Sequence, residues 1–196
     1  MTRKGVGADR HAGDAVPTAS RVGAQPPAFT VPASDGRPHI IVRRAGQADI
    51  AAILALRMAL LREHAHNAIY GRLRHDAEPR AAKLFAAQLQ SPNEVLFLAD
   101  VAGESVGVLR CIHSSGSPLL DPAQYAYVSS VYVVPAAREQ GVLRALLTAA
   151  EHWCADRGLE EMRLHNAADN PLANAAWEAL GFEVVEHLRV RSLRQR

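Results

Sequence analysis

Two arginines flank a lone glycine in Arg138-Glu139-Gln140-Gly141-Val142-Leu143-Arg144, where an apolar run gives way to a helical pattern. The first N–H groups of a helix lack intrahelical partners, and its N-terminus carries roughly half a positive charge. A glycine there lets the backbone approach an anion closely. The chemistry that fits is phosphate binding. Two nucleotide motifs are excluded. The P-loop requires Lys-Ser or Lys-Thr after its last glycine, and the dinucleotide fingerprint requires GxGxxG, whereas Gly141 stands alone. An ordinary strand-to-helix turn uses the same residue types, so the surrounding elements must decide.

The elements read as follows. Residues 1–38, dense in Gly, Pro, Ala and Ser, have no hydrophobic period and read as a disordered tail ahead of one domain over 39–196. "HIIVRRA" is a strand. "GQADIAAILALRMALLREHAH" is a helix with Asp49 as N-cap, and "PRAAKLFAAQLQ" a second helix entered at Pro79. "EVLFLADVAGESVGVLRCIHS" is a hairpin turning near Gly103. "YAYVSSVYVV" is a long strand stopped by Pro135, and it delivers the chain to the helix near Gly141, which Gly158 ends. "EEMRLHNAA" is a strand. "DNPLANAAWEALGF" is a helix with Asn170 as cap, Pro171 at N1 and Gly181 after its end, and "EVVEHLRVRSL" is a final strand. This β α α β β β α β α β order predicts an α/β fold: a mixed sheet with helices on both faces.

Bulk properties narrow the function classes. A net charge of +2 with mixed signs gives no nucleic-acid or membrane signature. No apolar run reaches the ~18 residues of a membrane span, and no apolar segment follows Arg3 and Lys4 as in a signal peptide. Cys111 and Cys154 form no CxxC pair; free thiols in a cytoplasmic chain are the simplest reading, with a disulfide left open. No His or Cys cluster has metal-ligand spacing, so no metal is expected.

With these elements in place, "VYVVPAAREQGVLRALL" resembles the central strand, pyrophosphate loop and helix of the GNAT superfamily of acetyl-CoA-dependent acetyltransferases. "NPLANAAWEALGF" resembles that family's second signature, Asn-x-x-Ala-x-x-x-Tyr-x-x-x-Gly-Phe. The two are correctly ordered with one strand between them, and the resemblance covers about residues 39–193. It implies a GNAT acyl-CoA fold, acetyl-CoA as co-substrate, and an active site where the central strand and the next one splay apart. By position, Val131, Tyr132 and Val133 offer backbone groups to the pantetheine arm. Arg138, Glu139, Gln140, Gly141, Val142, Leu143 and Arg144 hold the pyrophosphate, and Asn170 lies near the pantetheine or simply caps its own helix.

Three positions depart from the family pattern. Leu143 replaces the second small residue of the loop. Trp177 stands where the family often has a tyrosine acid, and an indole N–H is not a usable acid. The central strand lacks a carboxylate, leaving Tyr127 and Ser129 as the catalytic candidates, with Tyr125, His113 and His64 behind them. An amine must lose a proton to attack the thioester, and a backbone N–H near Val133 is placed to hold the oxyanion. The resemblance puts acceptor recognition at about residues 57–80 and 114–125. The acceptor is a primary amine on a small molecule or a peptide, and a homodimer is admitted. The competing reading is a CoA-binding sensor or partner module with little turnover, which the absent tyrosine and absent strand acid favour.

Overall fold

The computed structural model describes residues 28–33, 36 and 38–193. Its sheet has six strands in sequential order: β1 (Phe29–Val31), β2 (Ile40–Arg44), β3 (Glu94–Val101), β4 (Glu104–Ser115), β5 (Gln124–Val133) and β6 (Met162–Leu164). All neighbours are antiparallel except β5 and β6. The helices are α1 (Ile50–Glu63), α2 (Ala77–Gln88), α3 (Val142–Ala155) and α4 (Pro171–Ala179). A parallel pair needs a crossover, and α3 supplies it.

The sheet is covered on both faces, as the mixed order implies. In β3 the five residues from Val95 to Ala99 are all buried, and they divide between two cores. Leu96 and Leu98 meet Ile53 and Leu56 of α1 and Phe85 of α2. Val95, Phe97 and Ala99 face Leu146, Ala150 and Trp153 of α3. Cys111 and Cys154 converge in that second core, with sulfurs 4.0 Å apart as free thiols. The hydrogen bond with Cys154, together with burial, pushes the Cys111 thiol up. No described helix is long and apolar enough to cross a membrane.

Four expectations need correction. First, the tail is not featureless throughout. Phe29–Val31 pairs with β2, and Phe29 packs edge-on against His152 of α3 with ring centres 5.9 Å apart; residues 1–27 lie outside the described set. Second, Asp49 does not cap α1 through its side chain. A 3-10 turn over Gln47–Asp49 precedes the helix, and the Asp49 carboxylate accepts from the Gly46 amide at 2.7 Å and from both Arg43 terminal nitrogens at 2.9 Å. Third, α2 begins at Ala77, so Pro79 sits inside its first turn, where a missing N–H costs nothing. Fourth, residues 183–193 form no strand and are exposed throughout. A strand has no hydrogen bonds of its own, and this segment pairs with no sheet edge.

Candidate active site

The site begins where β5 outlasts β6. Their pairing stops at Val128 with Leu164, while β5 continues to Val133, so among the described residues its last five have no strand neighbour on that side. The other side is irregular too. Ser130 and Val131 together face Leu109 of β4 alone, a bulge in which Ser130 takes φ +53°. A bulge leaves one residue without ladder partners and bends the strand.

Beyond the bulge, the ladder fixes which peptide groups are free. Val134 donates its N–H to Val106 O at 2.9 Å across to β4. Strand residues alternate, so Tyr132 also turns its backbone to β4 and Val133 turns its own away. The Val133 carbonyl agrees, because it accepts instead from Arg138 Nε at 3.0 Å. The Val133 N–H is therefore aimed into the cleft. Tyr132, expected to bind pantetheine through its backbone, is committed to the sheet, and its ring is buried with α1 and α2. Val131 lies half-buried at the bulge.

The loop leading into α3 has unusual backbone geometry. Glu139 takes φ +64° and Gly141 φ +91°. None of the N–H groups from Glu139 to Arg144 finds an acceptor among the described residues. Consecutive free amides at alternating handedness form a concave anion site, and the α3 dipole adds to it. A Cβ on Gly141 would meet open space, so only its φ demands glycine. Val142 sends its side chain into the core, Leu143 is half-buried, and the Arg144 side chain is exposed. Gln140 turns back, donating from Nε2 to Ala136 O at 2.7 Å.

The Arg138 side chain is engaged within the protein. Its Nη2 donates to Glu63 Oε2 at 2.6 Å, and its guanidinium lies 5.7 Å from the centre of the Tyr132 ring. That bond holds the Glu63 carboxyl below the usual carboxylate range. The side chain ties α1 to the end of β5. Asn170 also keeps to its simpler role: its Oδ1 accepts from the Ala173 amide at 3.0 Å, capping α4. Trp177 is buried edge-on against Phe182 at 5.2 Å, a packing residue.

The face of the sheet beneath α1 carries Tyr125, Tyr127, Ser129 and Arg110, with Arg163 and His165 arriving from β6 and its extension. Tyr127 Oη lies 2.9 Å from Nδ1 of His165. Burial, then the neighbouring tyrosines Tyr70 and Tyr125, raise the Tyr127 hydroxyl, so it stays protonated at neutral pH. Ser129 Oγ is 3.5 Å from Arg110 Nη1, a long contact, while Arg110 is held by Glu94 at 2.6–2.7 Å. The α1–α2 connection crosses above. His66 Nε2 is 3.5 Å from Asp169 Oδ2, which links that connection to the loop after β6. Gly71 is essential to its path, because a Cβ there would lie 2.0 Å from Ala65 O.

His165 was not among the sequence candidates. Its signal is the register Tyr127 with Arg163 in a parallel pair, which puts a residue two further along on the same face. Register between strands 38 residues apart is not visible in the chain itself. Among the described residues, no three His, Cys, Asp or Glu side chains cluster as metal ligands.

Comparisons with known proteins identify the family. Residues 59–182 match the acetyltransferase (GNAT) family. The chain is 32% identical over 108 residues to an aminoglycoside N(6')-acetyltransferase type 1 of Klebsiella aerogenes, spanning 55% of this chain and 71% of that protein. It is 28% identical over 151 residues to one from Stenotrophomonas maltophilia, spanning 75% and 88%. A crystal structure of a predicted acetyltransferase with acetyl-CoA from Clostridium acetobutylicum superposes with a TM-score of 0.65 at 15% identity, covering 79% of this chain and 96% of that one. The chain belongs to the acetyltransferase (GNAT) family and is an acetyl-CoA-dependent N-acetyltransferase.

Proposed function

We propose that this enzyme acetylates the primary amine of a small molecule bound over Tyr125, Tyr127 and Ser129, using Tyr127 and His165 to carry the proton away. The pyrophosphate of acetyl-CoA lies on the amides of residues 139–144, and the thioester carbonyl points at the Val133 N–H. The neutral amine attacks that carbonyl, and the oxyanion is held by the Val133 N–H. One ammonium proton passes to Tyr127 Oη while the Tyr127 proton passes to His165 Nδ1. Collapse expels the CoA thiolate, a good leaving group that takes its proton from water. Imidazole is the side chain suited to proton exchange at neutral pH.

The observation that carries this reading is the 2.9 Å bond from Tyr127 to His165, at the point where β5 and β6 part. The curated relatives, named as aminoglycoside acetyltransferases, support a small-molecule acceptor. The test is a screen of amines, aminoglycosides included, with acetyl-CoA and detection of released thiol. Turnover of a soluble small amine supports the reading. Turnover of protein N-termini or lysines alone contradicts it, and tight CoA binding without any turnover favours the sensor.

We also propose a homodimer. Val185 and Leu193 in the unpaired segment 183–193 are 85% and 87% exposed, and Val184, Leu188 and Val190 are exposed beside them. Among the described residues, the outer edge of β6 carries no neighbour. An unpaired segment with exposed apolar side chains and a bare sheet edge on one chain suit reciprocal pairing between two copies, which closes by two-fold symmetry. Light scattering of the full chain and of Val185→Lys should give a dimer and a monomer. A monomeric full chain contradicts the proposal.

A further inference from the structure

Arg57 is a half-buried guanidinium whose charge nothing among the described residues answers. It lies on α1 one turn from both Ile53 and Leu60, on the flank that packs against the sheet. The other arginines around the acceptor floor are paired: Arg110 with Glu94, Arg163 with Glu161 and Arg138 with Glu63. Arg57 has no ion pair or side-chain hydrogen bond among the described residues. Glu63 at the end of α1 is engaged by Arg138 at 2.6 Å, and Glu94 by two nitrogens of Arg110 at 2.6–2.7 Å.

α1, which carries Arg57, packs against β4 and β5 on the face that bears Arg110, Tyr127 and Ser129. Arg57 lies within the electrostatic reach of Tyr70 and Arg110, and the same two residues act on Tyr127. Burial first, and then Arg110, disfavours the charge on Arg57. A guanidinium nevertheless stays protonated in a protein. A desolvated charge is unfavourable unless an opposite charge meets it, and a planar fork of donors matches a carboxylate or phosphate. Arg110 and Arg163 are each met by a carboxylate, Glu94 and Glu161, whereas Arg57 is met by none among the described residues.

We infer that the acceptor carries an anionic group, a carboxylate or a phosphate, near its reacting amine, and that Arg57 receives it. The inference rests on the acceptor lying over Tyr127, as proposed above. It makes Arg57 a specificity-determining residue, and it sets polycationic amines against the charge of Arg57.

Two measurements test it on the full chain saturated with CoA, so that the pyrophosphate site is filled. The first is line broadening of the phosphorus resonance of inorganic phosphate, and of the carbon resonance of labelled acetate, by wild type and Arg57→Gln. Arg57 has no internal ion partner, so Arg57→Gln orphans no carboxylate, and an unchanged melting temperature verifies the fold. The expected result is broadening by wild type that is lost in the variant; the anion broadened more strongly identifies phosphate or carboxylate as the group. Equal broadening by both proteins, or none by wild type, overturns the inference. The second is kcat/KM for phosphoethanolamine, β-alanine, ethanolamine and ethylenediamine. At least one anionic amine should exceed ethanolamine and ethylenediamine tenfold or more. Arg57→Gln should erase that preference mainly through KM, and Arg57→Lys should restore part of it. Preference for the cationic amine, or a preference that survives in Arg57→Gln, overturns the inference while leaving the acetylation reading intact. Arg57-dependent anion binding with no turnover of any amine leaves the anion site standing and refutes the placement of catalysis over it.

Discussion

Arg138 Nε donates to the carbonyl oxygen of Val133 across 3.0 Å, and the same guanidinium reaches Glu63 on α1. The arginine that a motif reading assigns to pyrophosphate holds the carbonyl of Val133, the residue whose N–H, on the preceding peptide, is proposed to hold the oxyanion. Arg138→Met keeps much of the stem over Tyr132 but removes both bonds. The expected outcome is a kcat reduced about tenfold or more, with CoA affinity changed by less than about threefold. Steady-state kinetics beside calorimetry make the comparison. A loss confined to CoA affinity would return Arg138 to the pyrophosphate.

Gly141 enters α3 at φ +91°. Gly141→Asp imposes an L side chain on a left-handed position, at roughly 1–2 kcal/mol. It also sets a negative charge beside the free amides. CoA affinity measured by calorimetry should fall at least tenfold, about 1.4 kcal/mol. Unchanged affinity in a folded variant would put the phosphates elsewhere.

Asp49 is held below the ordinary carboxylate range, first by its hydrogen bonds to Arg43 and then by the Gly46 amide. A depressed folded value stabilises above the unfolded pKa of about 3.9, and the benefit is lost as pH falls through the folded value. Asp49→Asn should therefore cost about 1–3 kcal/mol at pH 7. The gap between the two proteins should narrow as pH drops below about 4. Urea unfolding at several pH values reads this directly, and a gap independent of pH would show that the Arg43 contact carries no charge-dependent stability.

How much of this was legible in the chain depends on the range of the interaction. Gly141, Asn170 and Pro171 announce their roles locally, because glycine conformation, capping and a missing N–H act within one turn. The β3–β4 hairpin was equally plain: Ala102 and Gly103 both take positive φ at the tight turn. Long-range pairing was not legible. His165 meets Tyr127 only through a parallel register, and Arg138 meets Glu63 across 75 positions. The segment 183–193 has a strand's composition, but composition does not say which edge it pairs with.

β1 gives the N-terminal expectation a sharper form. Deleting residues 1–27 should leave the melting temperature unchanged, since β1 remains. Deleting 1–38 removes Phe29–Val31 from β2 and from His152, and should lower the melting temperature by several degrees. Equal melting of both truncated chains would show that β1 adds nothing measurable.

The most direct measurement is kcat for Tyr127→Phe on the amine that performs best in the screen. Phenylalanine keeps the ring but breaks the 2.9 Å bond to His165. The account predicts that kcat falls about a hundredfold, the usual scale for a lost proton-transfer group. CoA affinity and melting temperature should be preserved, and His165→Gln should give a similar loss. A Tyr127→Phe enzyme that turns over at nearly the wild-type rate would contradict the account.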